Sequence, residues 1–385
     1  MSNIEIRKVK SRRELRQFVQ FYYDLYCGND NAVPYIFFDE MDTLRSDKNP
    51  SFECCEAEYF MAFRDGKMVG RTAAIINHRA NEQWEKKEVR FGWTDFIDDQ
   101  EVSAALLKAV EEWGREKGMN QMTGPMGFID TDREGMLVEG FDELSTMYVN
   151  YNYPYYPKHM EQLGLKKSCD WVEFKVRVPN ANEPTKYNKI AELVKKRYNL
   201  RVHKFTRREL VYGGYGHEVF RLLNETYKDL YNFSRLSEKQ IDQLVNYYIK
   251  LADMNLVTAI MDGDRMVGFG ITFPSFSRAL QKTRNGKLFP MGWWHLLKIL
   301  KFHRTDTVDL LLIGVLPEYR SIGATTLIFD DLIRQFQRYG FKWAEVMPHM
   351  ETNTNAIAQW QYLDSRQHRR HRCYTKKIEY ATRQT

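Results

Sequence analysis

Two stretches far apart in the chain carry one short pattern. Ala62-Phe63-Arg64-Asp65-Gly66-Lys67-Met68-Val69-Gly70 returns as Ala259-Ile260-Met261-Asp262-Gly263-Asp264-Arg265-Met266-Val267-Gly268, with the closing glycines 198 positions apart. Asp-Gly between apolar runs predicts a tight hairpin, because both turn residues tolerate positive φ. A hairpin alone constrains little, but its surroundings repeat as well. In the first half, Ile4–Val9 is an expected strand, Ser11–Leu25 a helix capped by Ser11 with Glu14 three residues on, Val89–Ile97 a strand, Glu101–Lys117 a helix and Gln121–Pro125 a strand. Pro157–Gly164 follows as a short helix and Trp171–Val178 as a closing strand. In the second half the order is Leu200–Phe205, helices Glu218–Leu230 and Glu238–Ala252, the hairpin, a strand from Val308, a helix ending at Gly340, and a strand Phe341–Met347. A recurring order of elements marks an internal duplication, and 385 residues suffice for two cores.

The expected fold is therefore α/β with a mixed sheet, in two tandem domains. The polar, proline-bounded link Pro179–Pro184 divides them, giving domains 1–180 and 181–385. Ser277–His303, aromatic and basic, interrupts only the second copy and reads as a lid or a packing flap.

Within the second copy, Val308–Gly340 carries the chemistry. Val308, Leu310–Ile313 and Val315 form an almost unbroken apolar run, as in a central strand covered on both faces, and Pro317 ends it. Leu327, Ile328, Leu332, Ile333 and Phe336 then recur at helical spacing. A helix starting at Arg320-Ser321-Ile322-Gly323 points unpaired N–H groups and its positive dipole end at any ligand there, which favours a phosphate. Gly323 lets such a ligand come close to the backbone. The first copy has Ile97-Asp98-Asp99-Gln100-Glu101 in this place, whose three carboxylates suit a capped helix and repel a pyrophosphate. Strand start to terminal glycine spans 29 positions there (Val89 to Gly118) against 32 in the second copy (Val308 to Gly340).

The run V-L-P-E-Y-R-S-I-G-A-T resembles the acyl-coenzyme A pyrophosphate motif of the GNAT superfamily of N-acyltransferases, V-x-P-x-x-[RQ]-x-x-G-x-[GA]. Val315, Pro317, Arg320 and Gly323 match, while Thr325 stands where Gly or Ala is usual. The resemblance implies that Leu316, Arg320, Ser321, Ile322, Gly323, Ala324 and Thr325 cradle the coenzyme, and that the two parallel strands beside them splay to admit the acyl–pantetheine arm. It covers the second half in motif and the first only in layout, so the first domain is expected to be GNAT-like but to lack the pyrophosphate motif. Downstream, Asn355, Ala358 and Tyr362 resemble the family's N-x-x-A-x-x-x-Y segment, and their i, i+3, i+7 spacing predicts one helical face. By this resemblance Asn355 contacts the coenzyme and Tyr362 sits by the sulfur, where a neutral phenol can protonate the departing thiolate. The family's residues after that Tyr are replaced by Leu363-Asp364-Ser365-Arg366, and the first copy has Met160 at the Tyr position. For the general base, Asp309, Glu345 and His349 all remain open.

Composition narrows the rest. Net charge is +6, permissive of an anionic ligand without demanding nucleic acid. Arg366, His368, Arg369, Arg370, His371 and Arg372 form the sharpest basic run, either a solvated edge strand or a contact for substrate or a cofactor phosphate. Five scattered cysteines without a C-x-x-C pair suit reduced thiols and no metal, and no apolar stretch is long enough for a membrane span. With a charged start in place of a signal peptide, a cytoplasmic protein is expected. The reading is an N-acyltransferase, an N-acetyltransferase first, that uses acetyl-CoA or another acyl-CoA as cosubstrate and acts on a small-molecule or peptide amine. It would be a monomer with an internal pseudo-dimer, or a homodimer. A Fem-like aminoacyl transferase using aminoacyl-tRNA and a non-catalytic acyl-CoA-binding protein are the alternatives.

Overall fold

The computed structural model describes residues 4–183 and 185–380; 1–3, Pro184 at the end of the expected link, and 381–385 lie outside the described residues. In chain order the elements are β1 (Glu5–Lys8), α1 (Arg12–Leu25), α2 (Phe37–Thr43), β2 (Cys55–Arg64), β3 (Lys67–Asn77), α3 (His78–Gln83), β4 (Glu88–Phe96), α4 (Gln100–Glu116), β5 (Gln121–Gly124), β6 (Met136–Glu139), α5 (Tyr155–Gln162) and β7 (Lys166–Arg177). There follow α6 (Lys186–Tyr198), β8 (Arg201–His203), α7 (Arg207–Tyr212), α8 (Tyr215–Tyr227), α9 (Glu238–Leu251), β9 (Val257–Asp262) and β10 (Arg265–Pro274). The chain closes with α10 (Ser277–Gln281), α11 (Gly292–Phe302), β11 (Thr307–Val315), α12 (Pro317–Arg320), α13 (Ala324–Tyr339), β12 (Trp343–Met350), α14 (Thr354–Ala358) and β13 (Ser365–Lys377).

Two compact units emerge. The first holds the described residues up to Val172 together with Ser277–His295 and the chain from Arg369; the second holds Glu173–Phe276 and Leu296–His368. Where the sequence suggests one cut at 180/181, the chain thus changes unit after Val172 and sends two later segments back to the first unit. Hydrogen bonding explains both returns. Along β13, Arg370–Arg372 pair with β6 and Tyr374–Lys377 with β5. In the insert, Gln281 Nε2 donates to Asp30 O at 2.7 Å and Phe37 N donates to Gly286 O at 3.1 Å, so this part of the segment is a packed flap.

The basic run therefore is not a solvated edge. His368, Arg369 and His371 are buried on β13, and the Asp170 carboxylate takes Arg372 at 2.8 Å and Arg370 at 3.1 Å. A buried carboxylate turns what reads as surface charge into interior ion pairs.

Each unit carries a mixed sheet with one short parallel step. The first runs β1-β2-β3-β4-β5-β13, antiparallel except β4 with β5; the second includes β12-β11-β10-β9-β8, antiparallel except β11 with β12. Both Asp-Gly hairpins form, as β2–β3 and β9–β10. The repeated glycines permit a helix to lie on the sheet. A Cβ on Gly70 would meet Leu106 Cδ1 of α4 at 2.7 Å, and one on Gly270, two residues past the repeat's Gly268, would meet Ile328 Cγ2 of α13 at 2.6 Å. Val102, Leu106 and Val110 of α4, like Leu327, Ile328 and Leu332 of α13, are buried by this packing, each stabilising the fold by about 1.5–3 kcal/mol.

Candidate functional site

The second unit presents a forked sheet below a helix N-terminus. β11 pairs with β12 only from Thr307↔Trp343 to Leu310↔Val346, although the strands run on to Val315 and Met350. β10 covers the other edge of β11 through Gly268↔Val315, so β11 opens on one side alone. Tyr227 of α8 donates its hydroxyl to Ile313 O at 3.2 Å, fixing the open stretch.

At the strand end, Leu316 is buried and donates its N–H to Val267 O at 2.9 Å, and Pro317 starts the single turn of α12. Arg320 folds back: Nε donates to Val315 O at 2.9 Å and Nη2 to Thr226 O at 3.2 Å. Its guanidinium is thereby held at the turn, tying strand end to α8. Gly323 opens α13 at φ +88°, and a Cβ there would lie 3.0 Å from Val194 Cγ2 of α6. Only glycine enters this conformation without strain. Ser321 is exposed, Ile322 and Thr325 half-buried and Ala324 buried. No side chain caps this helix, which leaves the positive end of its dipole at the Gly323 turn without a side-chain acceptor.

Past the fork, His349 lies on β12 beyond the last strand pair and its ring stacks on Trp360, centroids 5.7 Å apart. Burial pushes its pKa down to about 4, leaving a neutral imidazole at pH 7. Glu345 stands before the fork on the same face of the strand. Its buried carboxylate sits 3.0 Å from His368 Nε2 and 3.5 Å from Lys175 Nζ. Asp309, its register partner on β11, is buried too.

The helix expected to carry Asn355, Ala358 and Tyr362 on one face changes winding part-way. α14 ends at Ala358, and Gln359–Tyr362 continue as a 3-10 turn, whose three residues per turn rotate Tyr362 away from Asn355. Tyr187 of α6 fixes the turn by donating its hydroxyl to Gln359 O at 2.8 Å. Tyr362 is half exposed, with Lys186 Nζ 3.5 Å from its ring centroid. Sequence spacing gave no sign of the two α6 residues, Lys186 and Tyr187, because their link to Tyr362 is a long-range contact.

No protein-family model matches the chain. In sequence it is similar to protein YghO of Escherichia coli, 28% identical over 384 residues, covering 97% of this chain and 95% of that protein. A bacterial ceramide synthase of Caulobacter vibrioides is 27% identical over 326 residues, 83% of this chain and 82% of that one. Among solved structures, a tandem GNAT protein from the clavulanic acid biosynthesis pathway superposes with TM-score 0.55 at 13% identity, over 98% of this chain and 100% of that one. A GCN5-related N-acetyltransferase from Sphaerobacter thermophilus gives 0.52 at 11% identity, over 98% and 96%.

The chain is a tandem GNAT fold. Within it, the first GNAT-like unit closes both features that the second leaves open. Asp99 caps α4 by accepting from Glu101 N at 2.9 Å and Val102 N at 3.4 Å, and Arg64 binds both Asp99 and Glu101. β4 pairs with β5 only through Arg90↔Thr123, as in the other GNAT-like unit, but here the following chain returns into the gap. Met126 N donates to Phe91 O at 2.8 Å, and a Cβ on Gly92 would meet Met126 O at 2.4 Å. A cavity of about 30 Å³, room for about one water, lies beside Tyr22, Tyr35, Arg71, Trp93, Asp95 and Arg133.

Proposed function

We propose that the chain is an acyl-CoA-dependent N-acyltransferase whose second GNAT-like unit holds the cosubstrate. One observation carries the reading: an uncapped helix opened by Gly323 stands over a sheet that forks after Leu310↔Val346, while the equivalent helix of the first unit is capped by Asp99. In this reading the first N–H groups of α13, from Ala324 and Thr325, with the Arg320 charge beside them, bind the pyrophosphate. Ser321, Ile322 and Leu316 shape the turn, Asn355 lies along the coenzyme, and the open edge of β11 receives the pantetheine amides. No metal is assigned a role.

A bound thioester supplies an acyl carbon open to attack by an amine. His349, neutral at pH 7, is the proposed acceptor for the proton the amine sheds. Glu345 is the weaker candidate, since His368 and Lys175 already engage its oxygens. Tyr362 is the proposed donor to the departing sulfur, reached once Lys186 and the 3-10 turn yield to substrate.

The acceptor class is proposed from the Caulobacter relative. A ceramide is the amide of a fatty acid and a long-chain amino alcohol, which favours a lipid amine and a fatty acyl donor over a peptide amine and acetyl-CoA. Thiol release from acetyl-CoA and palmitoyl-CoA, against sphingoid bases, polyamines and peptides, tests this. Arg320→Ala is expected to weaken coenzyme binding about tenfold, and Tyr362→Phe to lower kcat about 100-fold with little change in KM. Coenzyme binding without release on any amine would favour a non-catalytic acyl-CoA-binding protein.

A further inference from the structure

Of the twelve exposed large hydrophobic side chains among the described residues, five lie within fourteen positions: Phe289 (73% exposed), Met291 (62%), Trp293 (42%), Trp294 (37%) and Phe302 (60%). They sit on α11 and the turn that leads into it. α11 buries the opposite side through Leu296 and Ile299. The outer face mixes Trp294 and Leu297 with Lys298 and Lys301 at helical spacing. Trp293 Nε1 donates to Pro290 O at 2.9 Å, which holds the indole at the exposed end of the helix.

Charge along the segment itself has one sign. From Arg265 to Thr305 the chain has no aspartate or glutamate, whereas Ser277–Thr305 alone contains seven lysines and arginines. A protein partner would be expected to meet an apolar patch rimmed with both signs, but this segment carries no acidic side chain of its own to repel an anionic surface. At eleven residues α11 is only about 16 Å long, and no helix of the described residues is long and apolar enough to cross a membrane. Such a helix can lie in the plane of the interface, with its aromatics among the acyl-chain ends and its lysine stems extended toward headgroups.

We infer that Phe289–Phe302 is a membrane-surface anchor, docking the protein reversibly on anionic lipid bilayers. The inference stands independently of the acyltransferase reading, because vesicle binding is measured without acyl-CoA or amine.

The full chain is sedimented with vesicles of phosphatidylcholine alone, or containing about one-third phosphatidylglycerol. Partition onto the anionic vesicles is expected to exceed that onto neutral ones by at least about tenfold and to fall with added salt. Phe289→Ser/Met291→Ser/Phe302→Ser and Lys298→Glu/Lys301→Glu should each lower partition by about tenfold or more, with melting temperature unchanged. If a variant melts lower, the wild-type chain decides: its tryptophan fluorescence must be quenched by brominated acyl chains, and absence of quenching overturns the proposal. Equal partition onto neutral and anionic vesicles, or none onto either, overturns it as well. So does a dimer that the apolar variant dissolves in a chain that ignores vesicles, which would assign the face to a second copy.

Discussion

The same lattice point in the two repeats is built from opposite chemistry. Arg71 faces Asp95 across β3 and β4 in the first unit, and Phe269 faces Gly314 across β10 and β11 in the second. Arg71 is 1% exposed, its Nε donating to Asp95 Oδ2 at 2.8 Å and its Nη1 to Phe18 O at 2.9 Å. A Cβ on Gly314 would meet Phe269 Cε1 at 2.6 Å, so there an aromatic ring fills the space of the missing side chain. Around Arg71 the first unit adds Tyr26 on Asp95 and Arg133 on Glu40, a polar interior that locks β4 where the second unit keeps its fork. The difference teaches that the two repeats share a scaffold while each settled differently: one put its polar groups into rigidity, and the other left a helix end uncapped and a strand edge unpaired.

The comparison is broken most directly at its buried charges. Arg71→Ala strands Asp95 and is expected to cost about 3–5 kcal/mol, read by chemical denaturation. Arg71→Phe with Asp95→Gly imports the other repeat's solution and should recover about half of that loss or more. No recovery would mean that the polar interior is not interchangeable with the apolar one.

Next in size is the turn. Gly323→Val forces a β-branched residue to φ +88° and presses a Cβ toward Val194, costing about 1–3 kcal/mol of stability. Coenzyme affinity, measured by calorimetry, should fall about 100-fold, since the same atoms obstruct the approach to the N–H groups. Retained affinity would move the coenzyme elsewhere.

Then comes acid. The His349 pKa of about 4 lies below the ordinary 6.5, so the unfolded chain takes up the proton first as pH falls. Stability is lost between about pH 6.5 and 4, on the order of 3 kcal/mol, and the loss levels off below. His349→Gln lacks this slope, so wild-type stability should fall relative to the variant's by about that amount between pH 7 and 4.

How far the sequence disclosed this depends on the range of the interactions. Asp-Gly turns, the Ser11 cap with Glu14, and the run from Val308 to Gly340 are local, and spacing reveals them because neighbours in sequence fix the geometry. The carboxylates 98–101 also disclosed a capped helix start, and Asp99 caps it. Arg71 was silent, since an arginine in an alternating strand looks like a solvent-facing position until its partner 24 residues on is known. The end of the basic run of β13 misled for the same reason: Asp170 pairs with Arg370 and Arg372 from 200 and 202 residues away. Tyr362 shows a subtler limit, because helical spacing assumes that the helix continues, and a 3-10 turn shifts the later residues around the axis.

The smallest change is also the most discriminating. Asp99→Ala removes the side chain that accepts from Glu101 N and Val102 N, and leaves Arg64 with Glu101 alone. Losing an N-cap costs about 1 kcal/mol. If the carboxylate were all that separates the repeats, its removal would give the first unit an anion site, with a second coenzyme bound per chain. The filled fork argues otherwise: Met126 still donates to Phe91 O, and Gly92 still abuts the returning backbone, so the pantetheine arm has no strand edge to join. Calorimetry on Asp99→Ala should therefore show one coenzyme per chain at unchanged affinity, with only the melting temperature lowered. A second equivalent would show that the difference between the repeats rests on that single cap.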